Sequence, residues 1–107
     1  MTGRSKELLI AALERLAQPS ADQRAYLTEL RVSPSCDELA LEFADALAGA
    51  QPQGDAGKWL TELDQLLESM SGAERASLWQ LEALETAPEW AAVRHLASRA
   101  LDAVRAK

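Results

Sequence analysis

Residues 59–70 read WLTELDQLLESM, and their spacing decides the fold class. The apolar side chains of this stretch recur three and four positions apart, at Trp59, Leu60, Leu63, Leu66, Leu67 and Met70. Side chains at that spacing share one face of an α-helix, whereas a half-buried strand alternates at every second residue. The stretch therefore predicts an amphipathic helix that buries one face against other helices.

The composition extends this preference to the whole chain of 107 residues. The sequence contains 21 Ala and 18 Leu but only one Ile and three Val. Ala and Leu are strong helix formers, while the β-branched residues that suit strands are scarce. The length fits one domain. We predict an all-α fold, a compact bundle of five to six short antiparallel helices that forms a single helical domain over residues 1–107.

Proline, glycine and capping patterns divide the chain into these helices. A Ser or Thr followed three positions later by Glu or Gln suggests a capping box, in which the two side chains satisfy free N–H groups at a helix start. Such pairs occur at Ser20–Gln23, Ser35–Glu38, Ser71–Glu74 and Thr86–Glu89. The predicted boundaries are 5–17, about 21–31, a third helix that Gly49 ends after Ala48, a loop over 50–57, a fourth helix to Met70, and two helices that start near residues 71 and 86.

The apolar pattern also predicts which faces are buried. The fifth helix is expected to bury Leu78, Leu81 and Leu84. The last helix is expected to bury Trp90, Val93, Ala97, Ala100, Leu101 and Val104, with His95 on its outer face.

The only cysteine, Cys36, lies where the third helix is predicted to begin. Free N–H groups at a helix start lower a thiol pKa, but the carboxylates of Asp37 and Glu38 follow immediately and raise it. The only histidine is predicted on the outer face of the last helix, which leaves Cys36 without a base. Cys36 also continues the apolar stripe of Leu39 and Phe43, where a free Cys packs as a small hydrophobe. We predict a structural cysteine and no catalytic residue.

Composition and charge argue against several other functions. One Cys and one His cannot form a zinc site within the chain, and no stretch matches a calcium loop, so no metal and no cofactor is predicted. Residues 37–85 carry two basic and eleven acidic groups, which argues against nucleic acid. The longest apolar run, Leu8 to Leu13, is too short for a signal peptide or a membrane span. We predict a cytoplasmic protein that binds no membrane and has no identifiable small-molecule site.

Two surface features are candidates for binding another protein. The first is an acidic ridge formed by Glu38, Glu42 and Asp45 on one side of the third helix, predicted to lie opposite the apolar stripe. No Lys or Arg in this helix offsets their repulsion. The second consists of Leu41 and Trp79, which fall outside the main apolar faces and would supply contact area. A solvated face and a core position are the simpler interpretations of these two features.

The leading hypothesis is a small acidic protein-interaction module that is not an enzyme. Its acidic centre would steer association with a basic partner. An inhibitor or immunity-type protein that neutralises a basic enzyme, such as a nuclease, is one concrete form. The alternative is a structural or regulatory homo-oligomer that pairs through its off-face apolar residues. A redox sensor built on Cys36 ranks third.

Overall fold

The computed structural model describes residues 3–29, 37–50 and 54–106. Throughout these ranges every regular element is helical, so the all-α bundle prediction is confirmed. No described helix has both the length and the apolar content that crossing a bilayer would need. The elements are α1 (Gly3–Ala17), α2 (Ser20–Glu29), α3 (Asp37–Ala50), α4 (Gly54–Ser69), a 3₁₀ segment (Ala73–Trp79), α5 (Ala83–Thr86) and α6 (Pro88–Arg105).

Helix α6 is the centre of the bundle. It packs against α1 and α4, and α1 in turn packs against α3. The buried face of α6 consists of Trp90, Val93, Ala97, Ala100, Leu101 and Val104, as its apolar spacing predicts. His95 is exposed on the other face, which confirms its predicted position. Because each large apolar side chain stabilises the fold by about 1.5–3 kcal/mol when fully buried, this face is the main reason that the helices assemble around α6.

The junction between α3 and α4 differs from its prediction. Gly49 does not end α3, which continues to Ala50, and α4 begins at Gly54 inside the predicted loop. Ala50 and Ala56 are 3% and 2% exposed, so packing of these two side chains holds both helix ends in place. Gly54 adopts φ 73, a left-handed conformation that a glycine accepts without steric cost.

The predicted fifth helix is broken into two pieces. The 3₁₀ segment ends at Trp79, Gln80 is extended, and α5 begins only at Ala83. The break leaves the carbonyl of Leu78 free to accept a hydrogen bond from Nε1 of the buried Trp90, at 2.6 Å. In a continuous α-helix that carbonyl would accept from the N–H four residues later. Tertiary bonding of an indole therefore overrides the local helical pattern.

The capping-box predictions at Ser71 and Thr86 are wrong. The Ser71 hydroxyl donates backward to the Leu67 carbonyl at 3.3 Å, and the Thr86 hydroxyl donates to the Glu82 carbonyl at 3.0 Å. The residues that precede the 3₁₀ segment and α6 make no side-chain cap. Both hydroxyls thus satisfy carbonyls of the turn before them. The pair Ser35–Glu38 cannot be assessed, because Ser35 lies outside the described residues.

Gln23 also departs from its predicted capping role. It is fully buried, and its Nε2 donates to the carbonyls of Arg15 at 3.1 Å and Leu16 at 2.9 Å. These carbonyls belong to the last turn of α1, where the regular helical pattern ends, and the Arg15 carbonyl also accepts from the N–H of Gln18 at 3.4 Å. The Gln23 Oε1 accepts from Arg94 Nη1 at 3.3 Å, and the same nitrogen donates to the Leu84 carbonyl at 2.9 Å. This polar network joins α1, α2, α5 and α6.

The network predicts a coupled loss of stability. Gln23→Leu removes the side-chain donor to the Arg15 and Leu16 carbonyls, and Arg94→Met removes the donor to the Gln23 amide oxygen and the Leu84 carbonyl. We expect each single change to lower the free energy of unfolding by about 1–3 kcal/mol, the usual cost of an unsatisfied buried group. The loss in the double variant should be smaller than the sum of the two single losses in the free energy of unfolding, by at least about 0.5 kcal/mol. The reason is that both changes disrupt one network.

Chemical denaturation followed by circular dichroism measures these effects. Gln65→Leu is the matched control, since Gln65 is exposed on α4 and should change stability by less than about 0.5 kcal/mol. Strict additivity of the Gln23 and Arg94 changes would contradict the network.

Candidate partner-binding surface

The exposed leucine of α3 is the starting point of the surface. The helix packs Leu39, Phe43 and Ala46 inward, and the same helical register turns Leu41 outward. Leu41 is 54% exposed, and only Leu8 is comparable among the large apolar side chains that the structure describes, at 55%. Isolated exposed leucines are common on soluble proteins, so the surroundings of Leu41 decide what it means.

Leu41 lies in a groove beside α3. A depression of about 630 Å³ separates α3 from the 3₁₀ segment, and a smaller one of about 260 Å³ separates α3 from α4. Ala40, Leu41 and Ser71 line both depressions, so the two form one continuous surface. We call this surface the Leu41 groove. Its walls come from residues 37–44 on one side and from residues 64–68 and 71–80 on the other.

Trp79 lines the Leu41 groove as well, so the fold brings together the two apolar candidates that the sequence singles out. Its indole is half-buried, donates from Nε1 to the Met70 carbonyl at 2.9 Å, and meets the Trp90 ring edge-on with centroids 5.4 Å apart. These contacts hold Trp79 against the core. It therefore forms a fixed apolar wall of the groove, while Leu41 is the side chain that projects.

Carboxylates surround Leu41 on the helix and across the groove. Asp37 and Asp45 are one turn before and after Leu41 on α3, where side chains four positions apart are neighbours. Asp64 and Glu68 line the opposite wall on α4. Among the described residues that line the two depressions there is no Lys or Arg. The groove therefore has an apolar interior and an acidic rim, and its negative potential favours a cationic ligand.

The three residues of the predicted acidic ridge have different environments. Asp45 is exposed, whereas Glu38 and Glu42 are half-buried. Glu42 accepts a hydrogen bond from the Tyr26 hydroxyl, so it faces α2 and lies beside the buried face of α3, not opposite it. With Asp45 it lines a second groove of about 320 Å³ between α1 and α3, which also contains Leu8 and the cationic Arg15.

Arg15 reduces the negative potential of that second groove. Its guanidinium lies 3.4 Å from the centroid of the Tyr26 ring, a cation–π contact, and the Tyr26 hydroxyl is bonded to Glu42. The cationic Arg15 and the anionic Glu42 thus both contact Tyr26, and their charges partly cancel. The second groove is consequently the weaker attractor for a cation, and the Leu41 groove is the stronger.

The contact between Tyr26 and Glu42 affects the ionisation of the tyrosine. The hydrogen bond to Glu42, then burial, and then the charge of Glu42 raise the pKa of Tyr26 above its ordinary value of about 10, while Arg15 opposes the shift. The folded protein therefore holds this proton more tightly than the unfolded chain. The stabilisation is fully present below the unfolded pKa and is lost as pH rises through the folded pKa.

Tyr26 is the only tyrosine in the sequence, so its ionisation can be measured directly. Absorbance titration near 295 nm should give a pKa above that of a free tyrosine, under conditions where circular dichroism shows a folded chain. Glu42→Ala should bring the pKa back toward about 10, because it removes both the hydrogen-bond acceptor and the charge. Asp45→Asn, at an exposed neighbour on the same helix, should leave it unchanged. Equal pKa values in the wild-type and Glu42→Ala proteins would contradict the assignment.

Sequence reasoning missed two contributors to the surface. Asp64 and Glu68 are outward positions of α4, and nothing in their local pattern distinguishes them from a solvated helix face. They become part of the site only because α4 packs with that face toward Leu41. Cys36 lies outside the described residues, as do the contacts it makes. Across the described ranges no group of three or more His, Cys, Asp or Glu could hold a metal ion.

Comparisons with protein-family models, with curated proteins and with solved structures found no match to this chain.

Proposed function

We propose that this protein is a non-catalytic interaction module that binds a basic protein through the Leu41 groove. One observation carries the proposal: a leucine that is 54% exposed lies in a groove whose charged lining residues, as far as the structure describes them, are all acidic. An apolar centre inside a charged rim is the usual arrangement of a protein interface. Neutralisation of a basic enzyme, such as a nuclease, is one specific form of this function. A single cysteine, and hence no internal disulfide, supports a cytoplasmic location.

The two components of the surface have different roles in the proposed binding. The net charge of −6 and the local carboxylates accelerate encounter with a positively charged protein and select against acidic ones. Leu41 supplies the affinity, because its apolar area leaves water when the partner covers it. The acidic ridge contributes through Glu38 and Asp45, which lie on the helix surface next to Leu41. Glu42 contributes less, because its carboxylate is already bonded to Tyr26.

The same features disfavour the homo-oligomer as an explanation. Two copies that met through their Leu41 grooves would bring Asp37, Asp45, Asp64 and Glu68 of each chain together. Like charges at close range oppose such pairing unless cations intervene. Sedimentation at micromolar concentration is therefore expected to show a monomer. A dimer that Leu41→Gln dissociates would support the homo-oligomer and overturn the basic-partner proposal.

The leading test compares two equally exposed leucines. The wild-type chain captures its partner from native extract, and the purified partner is then titrated against Leu41→Gln and Leu8→Gln. We expect Leu41→Gln to weaken binding by at least about tenfold, which corresponds to about 1.4 kcal/mol, because a buried apolar anchor is lost. Leu8 is 55% exposed and lies outside the Leu41 groove, so Leu8→Gln should change the affinity by less than about twofold.

Both variants must keep the circular dichroism spectrum and unfolding midpoint of the parent protein. Binding of the true partner should also weaken steeply as salt is raised, because the rim charges are exposed to solvent. A partner that binds Leu41→Gln as tightly as the wild type would contradict the proposal.

A further inference from the structure

We infer that the segment of the partner that occupies the Leu41 groove is an amphipathic α-helix with Lys or Arg along both sides of its apolar stripe. The inference rests on the proposed function and specifies its ligand.

The lining of the groove suits a helix. Among the described residues, α3 packs closely along α1, whereas on its Leu41 side it meets only the end of α4, with the groove between them. The opposite wall consists of the end of α4 and the 3₁₀ segment. Helices pack about 8–10 Å apart by fitting side-chain ridges into grooves, and small residues allow the closest approach. Ala40, Ala44 and Ala76 provide such small positions beside the larger Leu41.

The carboxylates lie on both walls. Asp37 is on the α3 side, whereas Asp64 and Glu68 are one turn apart on the α4 side. A helix that lay between the walls would point its apolar stripe at Leu41 and the adjoining alanines. Its two flanks would then face carboxylates on either side. Cationic residues on both flanks of one apolar stripe are the complement of this arrangement, in the manner of helix-in-groove recognition.

The described part of the chain has no sheet edge to which an extended peptide could add as a further strand. Extended peptides commonly bind by adding a strand to an exposed sheet edge, whose N–H and C=O groups form the ladder. All regular elements in the described ranges are helices, so those ranges offer no such edge. A helix instead satisfies its own backbone groups and needs only side-chain contacts from the groove.

A synthetic peptide of about 16 residues tests the inference, since shorter isolated helices are marginal in water. It carries Leu at positions i, i+3, i+4 and i+7, Lys on both flanks of that stripe, and blocked ends. A second peptide has the same charge and a central Leu replaced by Pro, which breaks the helix. Binding to the full-length, ¹⁵N-labelled chain is followed by NMR, and the helicity of each peptide by circular dichroism.

We expect the helical peptide to gain helicity on binding and to shift the amide signals of Ala40, Leu41, Leu67 and Glu68 and the indole signal of Trp79. The proline peptide should bind at least about tenfold more weakly. Leu41→Gln should weaken binding of the helical peptide by a similar factor.

Charge reversal on α4 supplies a matched pair of variants. Glu68→Lys alters the groove, whereas Glu62→Lys makes the same charge change at an exposed position of α4 outside the groove. The lysine introduced at position 68 would lie one turn from Asp64, a favourable spacing, so the variant should stay folded. We expect Glu68→Lys to weaken binding of the helical peptide at least about fivefold. Glu62→Lys should weaken the same binding by less than about twofold.

Several outcomes would overturn the inference, and they differ from a failure of the proposed function. Equal affinity of the two peptides, equal effects of the Glu62 and Glu68 changes, or no shift at the groove up to about 1 mM peptide would each exclude a docked helix. If the partner still required Leu41 in the capture experiment, the proposed function would stand with a different ligand shape. If the partner bound Leu41→Gln as tightly as the wild type, the proposed function would fail whatever the peptide result.

Discussion

The position of Gln23 determines how the rest of the structure is arranged. A fully buried amide that donates to two carbonyls at the end of α1 sets where α2 can lie, because those carbonyls have few other partners. The Gln23 side-chain oxygen accepts a hydrogen bond from Arg94, which connects the end of α1 and the start of α2 to the central helix α6. One turn further along α2, Tyr26 reaches Glu42 and so holds α3 from that side. This contact supports the orientation of α3 in which Leu39 and Phe43 pack inward and Leu41 points outward.

Helix α3 is consequently stabilised mainly from one side. Its buried face packs on α1, and Tyr26 adds a polar contact from α2, while on the Leu41 side the groove separates α3 from the described end of α4. Because Leu41 is 54% exposed, covering the rest of its side chain would contribute roughly half of the about 1.5–3 kcal/mol that full burial of a leucine gives. A partner that covers Leu41 recovers that free energy as affinity. The open side of α3 is thus where the free protein and a complex would differ most in buried apolar area.

The sequence predicts the parts of this structure that depend on local periodicity. The helical class and the six buried residues of α6 follow from spacing alone, because a helix buries one face whatever packs against it. The capping boxes at Ser71 and Thr86 fail because each hydroxyl finds a nearer carbonyl in the preceding turn. The break after Trp79 and the juxtaposition of Glu68 with Leu41 depend on contacts between distant segments. No local pattern contains that information.

The carboxylates around Leu41 oppose contact with unsuitable apolar surfaces and favour contact with cationic ones. An exposed leucine in a groove invites contact with any apolar surface, including a second copy of the same chain. Asp37, Asp45, Asp64 and Glu68 penalise that contact whenever the approaching surface is acidic or uncharged, since they would lose water without gaining a counter-charge. A surface that presents cations around an apolar stripe avoids the penalty. In the proposed complex, the acidic rim would restrict access to Leu41 to cationic ligands, and the apolar interior would bind them.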